Sequence, residues 1–402
     1  MTAWIDEVQT REVWDKLDFG RAEYEDRHHR VRSAMQARDI DLLICIDPRS
    51  LHYLIGFRGK SYQEFQCIFF SLEQEPIILC TRMAEVAEMN DLTLADDVRG
   101  WSGQKPEDPI DMFKGIIEEK GYKSLSIGIE VPIFNFWAKD WEKIKSYLAG
   151  CKTQEATTLI EDLKLVKSPA EIKMIRSSSA IADMAMKASQ EAIKEGVTEF
   201  KVAAETYRAL LSNGSDVPAS PINFATGERS CYPHGQPTER KIKRGDLMHI
   251  EYGAAYHRYT CTIGRNFCLG EPNARQRDLH NVQLAACDAL IAAVKPGISS
   301  EIPHLEAKRV ISDAGLEFAR IHTSGYGVAP AFPPSWGESI HFYSGYPYEP
   351  RMLEPGMVLS VEPPIMIHQE KLGVRVIDDI LVTETGCEIL SQYQRDLIIC
   401  DV

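Results

Sequence analysis

One helix start divides this sequence more sharply than any other feature. The letters SPAE at 168–171 place a serine that can cap a helix, a proline that suits the first turn, and a glutamate three residues after the cap. Apolar residues then recur at helical spacing to about Glu195, and Gly196 is suited to end the helix. We therefore predict a boundary just before this helix, with domains at 1–158 and 159–402.

The N-terminal part alternates short buried strands with helices. Aliphatic runs that indicate strands occupy 42–46, 68–70, 77–79 and 125–129. Helices are predicted at 21–38 and 112–119, and residues 1–20 are predicted to form a loosely structured arm. Strands that alternate with helices indicate an α/β layer domain, the smaller of the two.

The C-terminal part is predicted to mix hairpins with helices, which makes the whole chain α+β. A hairpin is expected from 247–252 and 258–269, with Gly253-Ala254-Ala255 as the connection between its strands. Two helices and two further strands follow, at 273–293, 302–314, 357–362 and 374–382.

Composition limits the classes of partner. The 402 residues carry 45 basic and 59 acidic side chains, a net charge of -14, and no basic cluster, so we expect no nucleic-acid binding. Apolar runs are shorter than the ~20 residues of a membrane span, and the N-terminal residues lack a signal-peptide pattern. Ten scattered cysteines without zinc spacing are typical of reduced thiols, so a cytoplasmic location without membrane attachment is expected.

Two glutamates are candidates for chemistry because each ends an apolar strand. Alternation places His249 and Glu251 on one face of the first strand, and Ser360 and Glu362 on one face of the other. A buried carboxylate is costly unless it is paired or bonded, so each glutamate is either functional or half of a structural ion pair. A strand-end carboxylate that reaches solvent or a nearby arginine remains the alternative.

Three loops carry the other candidates. His234 lies in a Pro-His-Gly turn, where an imidazole can move protons near neutral pH or can be a plain surface residue. The Gly/Pro-rich segment 325–338 contains Tyr326, Trp336 and Glu338, and it is either a pocket wall or a rigid surface loop. The polar segment 57–64, with Tyr62 and Glu64, is predicted to project towards a pocket or a partner subunit.

Four segments together resemble the superfamily of methionine aminopeptidase, prolidase and creatinase. They are LVKSPAEI at 165–172, KRGD at 243–246, LEPGMV with VEP at 353–363, and GVRV with Asp378 at 373–378. The resemblance covers nearly the whole chain. It implies a pita-bread catalytic domain, a curved antiparallel sheet covered by helices, and the α/β N-terminal domain narrows it to the prolidase and creatinase branch.

The peptidases of this superfamily hold two metal ions with two Asp, one His and two Glu. The matching positions here are Glu251, Thr262, Tyr326 (or Val328), Glu362 and Ile377. Threonine, tyrosine and isoleucine do not make the oxygen and nitrogen cage that two hard cations need. The resemblance therefore implies a hydrolase without a metal or any other cofactor.

Two metal-free members of the superfamily, creatinase and ectoine hydrolase, provide the comparison. His234 falls at the creatinase catalytic histidine and Glu362 at an active-site glutamate, whereas another creatinase glutamate falls at Gly264. The creatinase arginine that grips the carboxylate of creatine falls at Glu64, which argues against creatine. Segment 325–338 and Glu251 look more like ectoine hydrolase, whose matching glutamate is thought to be the nucleophile.

The expected function is metal-independent hydrolysis of a C–N bond in a small amidine or guanidine, closest to that of ectoine hydrolase. His234, Glu251 and Glu362 would be catalytic, and the side chains of segments 57–64 and 325–338 would bind substrate, namely Tyr62, Glu64, Tyr326, Trp336 and Glu338. The alternatives are a creatinase-type amidinohydrolase, an Xaa-Pro peptidase with other metal ligands (His249, Asp378 or Asp379), and a binding protein without catalysis. The resemblance also implies a homodimer.

Overall fold

The computed structural model describes residues 12–132, 134–218, 220–343 and 349–401. The chain divides into two compact units, residues 1–164 and 165–402. This division falls at the end of the helix Thr157–Leu165, whereas the sequence places the boundary a few residues earlier, inside that helix. Most of the predicted N-terminal arm lies outside the described residues, and Glu12–Lys16 form a short 3-10 helix.

The first unit is a layered α/β domain, as predicted. Its helices are α1 Arg21–Ala37, α2 Pro48–Ile55, α3 Val86–Leu92, α4 Pro109–Glu119, α5 Ala138–Tyr147 and α6 Thr157–Leu165. Its strands are β1 Leu42–Cys45, β2 Cys67–Ser71, β3 Ile78–Arg82, β4 Asp97–Trp101, β5 Ile127–Ile129 and β6 Thr153–Glu155. They form a mixed sheet in the order β4-β3-β2-β1-β5-β6, and helix α4 packs Ile110, Phe113 and Ile117 into the core of this sheet.

The second unit combines antiparallel strands with four long helices. The helices are α7 Pro169–Ala192, α8 Glu199–Ser212, α9 Ala274–Ala293 and α10 Glu301–Asp313. The strands are β7 Asn223–Thr226, β8 Leu247–Tyr256, β9 Tyr259–Leu269, β10 Tyr326–Phe332, β11 Ser335–His341, β12 Val358–Val361, β13 Ile365–Ile367, β14 Leu372–Val374, β15 Asp378–Val382, β16 Cys387–Ile389 and β17 Ile398–Cys400. Two larger sheets result, β17-β9-β8-β7 and β11-β10-β12-β15-β16, beside the small pair β13-β14.

Helices cover both larger sheets. Helix α7 begins at the predicted capping box, in which the Ser168 side chain accepts the Glu171 N–H and the Glu171 carboxylate accepts the Ser168 N–H. Helices α7 and α8 share a buried apolar core with the sheet of β8 and β9. Helices α9 and α10 share another with β12 and β15. The predicted α+β architecture is confirmed.

Two connections differ from the sequence-based expectation. The predicted link Gly253-Ala254-Ala255 is part of strand β8, because the ladder runs on to Tyr256 and the turn is made by His257 and Arg258 with φ of 51° and 71°. The predicted loop 325–338 is largely a β-hairpin, in which β10 and β11 pair on either side of Pro333-Pro334. Cross-strand pairing outweighs the turn-forming residues at both places.

The predicted strand 374–382 is interrupted. Strand β14 ends at Val374 and β15 begins at Asp378, and the three residues between them leave the ladder. Ile377 instead bridges to Gly264 of β9, which joins the two larger sheets. Arg375 lies in this interruption, and it is 1% exposed.

No helix within the described ranges is long and apolar enough to cross a membrane. All ten cysteines are free.

Candidate active site

Arg375 lies between the two glutamates that the sequence singled out. Its Nη1 is 2.6 Å from Glu251 Oε2, and its Nη2 donates to Glu362 Oε2 at 3.0 Å. Glu251 is 7% exposed and Glu362 1%. The three side chains form a buried carboxylate–guanidinium–carboxylate triad, which we call the acid–arginine triad.

Each member of the triad is fixed by a different element. Glu251 lies on β8 directly opposite Gly264 of β9. Glu362 follows β12, and its N–H donates to the Ser324 carbonyl. Arg375 follows β14, and its N–H donates to the side-chain Oδ1 of Asn266 at 2.8 Å. The triad therefore connects the two larger sheets.

Burial sets the protonation balance of the triad. It raises the pKa of both Glu251 and Glu362, while the adjacent Arg375 guanidinium works in the opposite direction. Burial alone would lower the pKa of Arg375, but the two glutamates raise it above its ordinary value, so the guanidinium stays charged. Two carboxylates thus share one fixed cation.

Two histidines flank the triad. His234 is tied to Arg375 through the preceding Pro233, whose carbonyl accepts from Nη1 at 3.0 Å. The His234 ring meets His322 edge to face at a centroid distance of 5.8 Å, and His322 Nδ1 is 3.5 Å from Glu362 Oε1. Burial, with the Arg375 charge, lowers the pKa of both histidines, so both imidazoles are neutral at pH 7 and can accept protons.

Tyr326 and Trp336 form an aromatic wall on the hairpin β10–β11. Trp336 Nε1 donates to the Tyr326 hydroxyl at 3.1 Å, and His341 packs 6.2 Å from the tyrosine ring. Burial raises the pKa of Tyr326, and the Glu362 charge adds to that effect. Gly325, just before β10, lets its backbone pass close to Ser360 of β12, since a Cβ at this position would lie 1.9 Å from the Ser360 carbonyl oxygen.

The remaining candidates lie elsewhere. Glu338 forms a buried ion pair with Lys167, which also donates to the Leu165 carbonyl. Tyr62 and Glu64 belong to the first unit, where Tyr62 is buried and Glu64 is exposed. Their predicted contribution to a pocket stays a prediction.

Sequence reasoning missed Arg375, His322 and His341 as parts of this site. Arg375 stood in a segment that carried the resemblance, but its partners are far away in the chain. His322 and His341 lie just before and just after the predicted loop that became a hairpin. Because glycine and proline interrupt the alternation of polar and apolar residues in this segment, no local pattern links these histidines to Tyr326.

The positions that would hold two metal ions do not fit them. Thr262 uses both its N–H and its hydroxyl on Asp379, at 2.8 and 2.6 Å. Ile377 packs its side chain onto Gly264, and Arg375 places a fixed cation between the two surviving carboxylates. Within the part of the chain that the structure describes, no group of three or more His, Cys, Asp or Glu could hold a metal ion.

The three alternative ligands are already engaged. His249 Nε2 contacts the Ser230 carbonyl at 3.0 Å, and burial lowers the pKa of this histidine to about 4. Asp378 binds Arg265 and Arg395, each at 2.7 Å. Asp379 accepts the two hydrogen bonds from Thr262, and burial raises its pKa to about 7.

Comparison with known proteins identifies the relatives of this architecture. The model of metallopeptidase family M24 matches residues 173–384, and that of the creatinase/prolidase N-terminal domain matches 27–166. The Xaa-Pro dipeptidase of Pyrococcus horikoshii is 33% identical over 72% of this chain and 80% of its own length. The ectoine hydrolase of Halomonas elongata is 26% identical over 95% of this chain and 98% of its own.

A solved structure agrees with these sequence matches. The prolidase from Pyrococcus horikoshii OT3 superposes with a TM-score of 0.78 at 27% identity, covering 93% of this chain and all of that one. The two larger sheets and their covering helices correspond to the pita-bread fold of this family. With its creatinase/prolidase N-terminal domain, the chain belongs to metallopeptidase family M24, a family of hydrolases.

Proposed function

We propose that the protein hydrolyses a C–N bond in a small amidine or guanidine without a metal ion. The observation that carries this proposal is the acid–arginine triad, in which Arg375 occupies the space between Glu251 and Glu362. An amidinium carbon is already electron-poor, so its attack by water needs less polarisation than attack on a peptide carbonyl. The buried carboxylates match the cationic N–H groups of such a substrate.

The reaction needs one bond to form and one to break. The oxygen of water becomes bonded to the amidinium carbon, the C–N bond breaks, and the nitrogen leaves with an added proton. Glu251 either attacks the carbon first, in which case water then breaks the bond between Glu251 and that carbon, or takes the proton from the attacking water. His234, neutral at pH 7, carries a proton to the leaving nitrogen, and Glu362 holds the substrate N–H groups.

The aromatic wall and the first unit have supporting roles in this proposal. Tyr326 and Trp336 shape the pocket beside the triad. Glu338 supports the same hairpin through Lys167. The proposal keeps Tyr62 and Glu64 as substrate-binding residues. A homodimer belongs to the proposal on the strength of the resemblance alone, and a cytoplasmic location on the pattern of ten scattered cysteines without zinc spacing.

Xaa-Pro dipeptidase activity is the second candidate, because relatives of that name match the chain well. It requires metal ligands in addition to Glu251 and Glu362. His249, Asp378 and Asp379 would each have to leave a buried partner to become such ligands. This requirement favours the hypothesis of a metal-free hydrolase over that of a peptidase.

Product analysis by mass spectrometry tests the proposal. The purified protein is incubated with ectoine, creatine, simple amidines and Xaa-Pro dipeptides, and we expect water to be added to an amidine or guanidine. Replacing His234 by Ala or Glu251 by Gln should lower turnover by about 10²–10⁴-fold, the usual contribution of a proton-transferring group. The exposed His29 and Glu195 provide matched controls, as His29→Ala and Glu195→Gln.

Three results would contradict the proposal. Cleavage of dipeptides alone would point to the peptidase. Near-normal turnover in both His234→Ala and Glu251→Gln would remove those residues from the chemistry. Absence of any turnover, together with tight binding of a peptide or protein, would instead indicate a binding protein.

A further inference from the structure

We propose that the Tyr326 hydroxyl is a catalytic hydrogen-bond donor to the oxygen atom that hydrolysis adds to the substrate carbon, and that Trp336 is the positioning residue that orients this hydroxyl. The inference rests on the proposed function and deepens it. Glu251 and Glu362 accept hydrogen bonds from the substrate nitrogens, whereas Tyr326 donates to the new oxygen.

The strand register places Tyr326 beside one of the two glutamates. Gly327 of β10 pairs with Leu359 of the antiparallel strand β12. The Ser324 carbonyl accepts the Glu362 N–H at 2.9 Å, which continues the same register. Side chains two apart on a strand share a face, so Tyr326 and Glu362 are diagonal neighbours on one face of the sheet. Such neighbours lie within reach of an aromatic side chain.

The hydrogen bond from Trp336 decides which way the tyrosine hydroxyl points. An indole N–H only donates, so the Tyr326 oxygen is the acceptor of the 3.1 Å bond from Trp336 Nε1. The hydroxyl proton of Tyr326 must therefore point elsewhere. No group accepts that proton among the residues that the structure describes. Since Tyr326 is only half-buried, the proton is available to a ligand.

The hydroxyl remains a neutral donor. Burial raises the pKa of Tyr326 well above its ordinary value, and the charges of Glu362 and Glu251 act in the same direction. The bond from Trp336 and the Arg375 charge oppose that effect without cancelling it. Tyr326 thus keeps its proton at pH 7 and donates a hydrogen bond without giving the proton up.

The chemistry of the reaction determines when this donor finds an acceptor. An amidinium or guanidinium group presents N–H donors and no acceptor, so the bound cation offers nothing to the Tyr326 hydroxyl. During hydrolysis a C–O bond forms and the C–N bond breaks. The added oxygen becomes the carbonyl oxygen of the product, and its proton reaches the leaving nitrogen through His234. A hydrogen bond that forms only after the oxygen arrives raises kcat without changing KM.

Kinetics on the full-length protein test the role of the hydroxyl. The substrate is 2-methyl-1,4,5,6-tetrahydropyrimidine, which hydrolysis opens to N-(3-aminopropyl)acetamide. The variant Tyr326→Phe keeps the ring and removes the donor. We expect kcat to fall about 10²–10³-fold, the usual loss for one donor to a developing oxygen, with KM unchanged. The matched control Tyr147→Phe removes a hydroxyl that donates to Glu118 in the first unit, and it should keep the wild-type kcat.

A double-variant cycle tests the role of Trp336. The variant Trp336→Phe keeps an aromatic ring and removes the N–H donor. We expect kcat to fall about fivefold in the wild-type background, the worth of one hydrogen bond. The same change should cost nothing further in Tyr326→Phe, because no hydroxyl is left to orient. Equal losses in both backgrounds would overturn the positioning role.

Calorimetry with the product tests the same hydrogen bond without turnover. N-(3-aminopropyl)acetamide carries the oxygen that hydrolysis adds. We expect it to bind at least about fivefold more weakly to Tyr326→Phe than to the wild-type protein, because one hydrogen bond is lost. The control Tyr147→Phe should bind it as the wild-type protein does.

The outcomes separate this inference from the proposed function. Near-normal kcat in Tyr326→Phe would overturn the inference and leave metal-free C–N hydrolysis intact. A raised KM with unchanged kcat would overturn it too, because the hydroxyl would then bind the substrate itself. If the wild-type protein hydrolyses no amidine, the proposed function fails, and weaker binding of the product to Tyr326→Phe would still support the donor. Equal product binding by both proteins, or none, would overturn it.

Discussion

Arg375 is the residue on which the electrostatics of the second unit depend. It is 1% exposed, and it compensates two glutamates that are themselves buried. Removing one partner of a buried ion pair leaves an uncompensated charge, which costs far more than the pair contributes when intact. The same side chain also holds the Pro233 carbonyl and thereby the turn that carries His234.

Replacing Arg375 by Met should therefore lower the free energy of unfolding by about 3–5 kcal/mol at pH 7, because Glu251 and Glu362 lose their cation. Urea denaturation monitored by circular dichroism measures the change. The control is Arg176→Met, which breaks a half-exposed pair with Glu388 and should cost at most about 1 kcal/mol. Equal losses in the two variants would mean that the triad is not a buried, charge-coupled unit.

At the level of single residues, the sequence predicted much of this chemistry but not how it is assembled. Carboxylates at the ends of apolar strands marked Glu251 and Glu362, since burying an unpaired charge is costly. The arginine that pairs with both could not be chosen from the sequence, because 45 basic residues offer many partners. Arg375 lies in the interruption between β14 and β15, where its side chain is buried against both glutamates.

At the scale of elements, the junction between β9 and the segment before β15 holds the two larger sheets together. Gly264 and Ile377 exchange backbone hydrogen bonds of 3.1 and 2.9 Å. The isoleucine side chain fills the space that a side chain on Gly264 would take, with Cγ1 at 2.7 Å from the position of a Cβ. A large residue on one strand thus requires glycine on the other.

The variant Gly264→Ala should lose about 1–3 kcal/mol of stability from overpacking, and Ile377→Ala about 2–5 kcal/mol from the cavity that it leaves. The double variant should lose clearly less than the sum, because the new methyl group enters space that the isoleucine vacates. Chemical denaturation of all four proteins completes the cycle. Strict additivity would show that the two side chains do not compete for that space.

Secondary structure was easiest to predict where local signals agree. Helix α7 begins at Ser168 as expected because capping, proline and apolar spacing all point to one start. The hairpin β8–β9 was predicted, but its turn was placed too early, at 253–255, and segment 325–338 was predicted as a loop, because glycine and proline favour turns locally. Cross-strand pairing of whole strands, which no local pattern reports, decided both cases.

For the whole molecule, the question is how a member of a metallopeptidase family does chemistry with this set of residues. Of the five positions that the resemblance assigned to metal ligands, only Glu251 and Glu362 carry a carboxylate. The Thr262 hydroxyl donates a hydrogen bond to Asp379, and the Ile377 side chain packs against Gly264. The fold is that of the family. At the centre of the site, Arg375 compensates the charges of Glu251 and Glu362.

The most direct test is the rate of amidine hydrolysis, measured with 2-methyl-1,4,5,6-tetrahydropyrimidine as substrate, for EDTA-treated protein and for the same protein with added Mn²⁺. We expect hydrolysis at the same rate in both samples, because the proposed reaction uses only protein side chains and water. Activity that disappears with EDTA and returns with Mn²⁺ would contradict it, and would mean that a metal site is assembled from residues that this structure keeps engaged elsewhere.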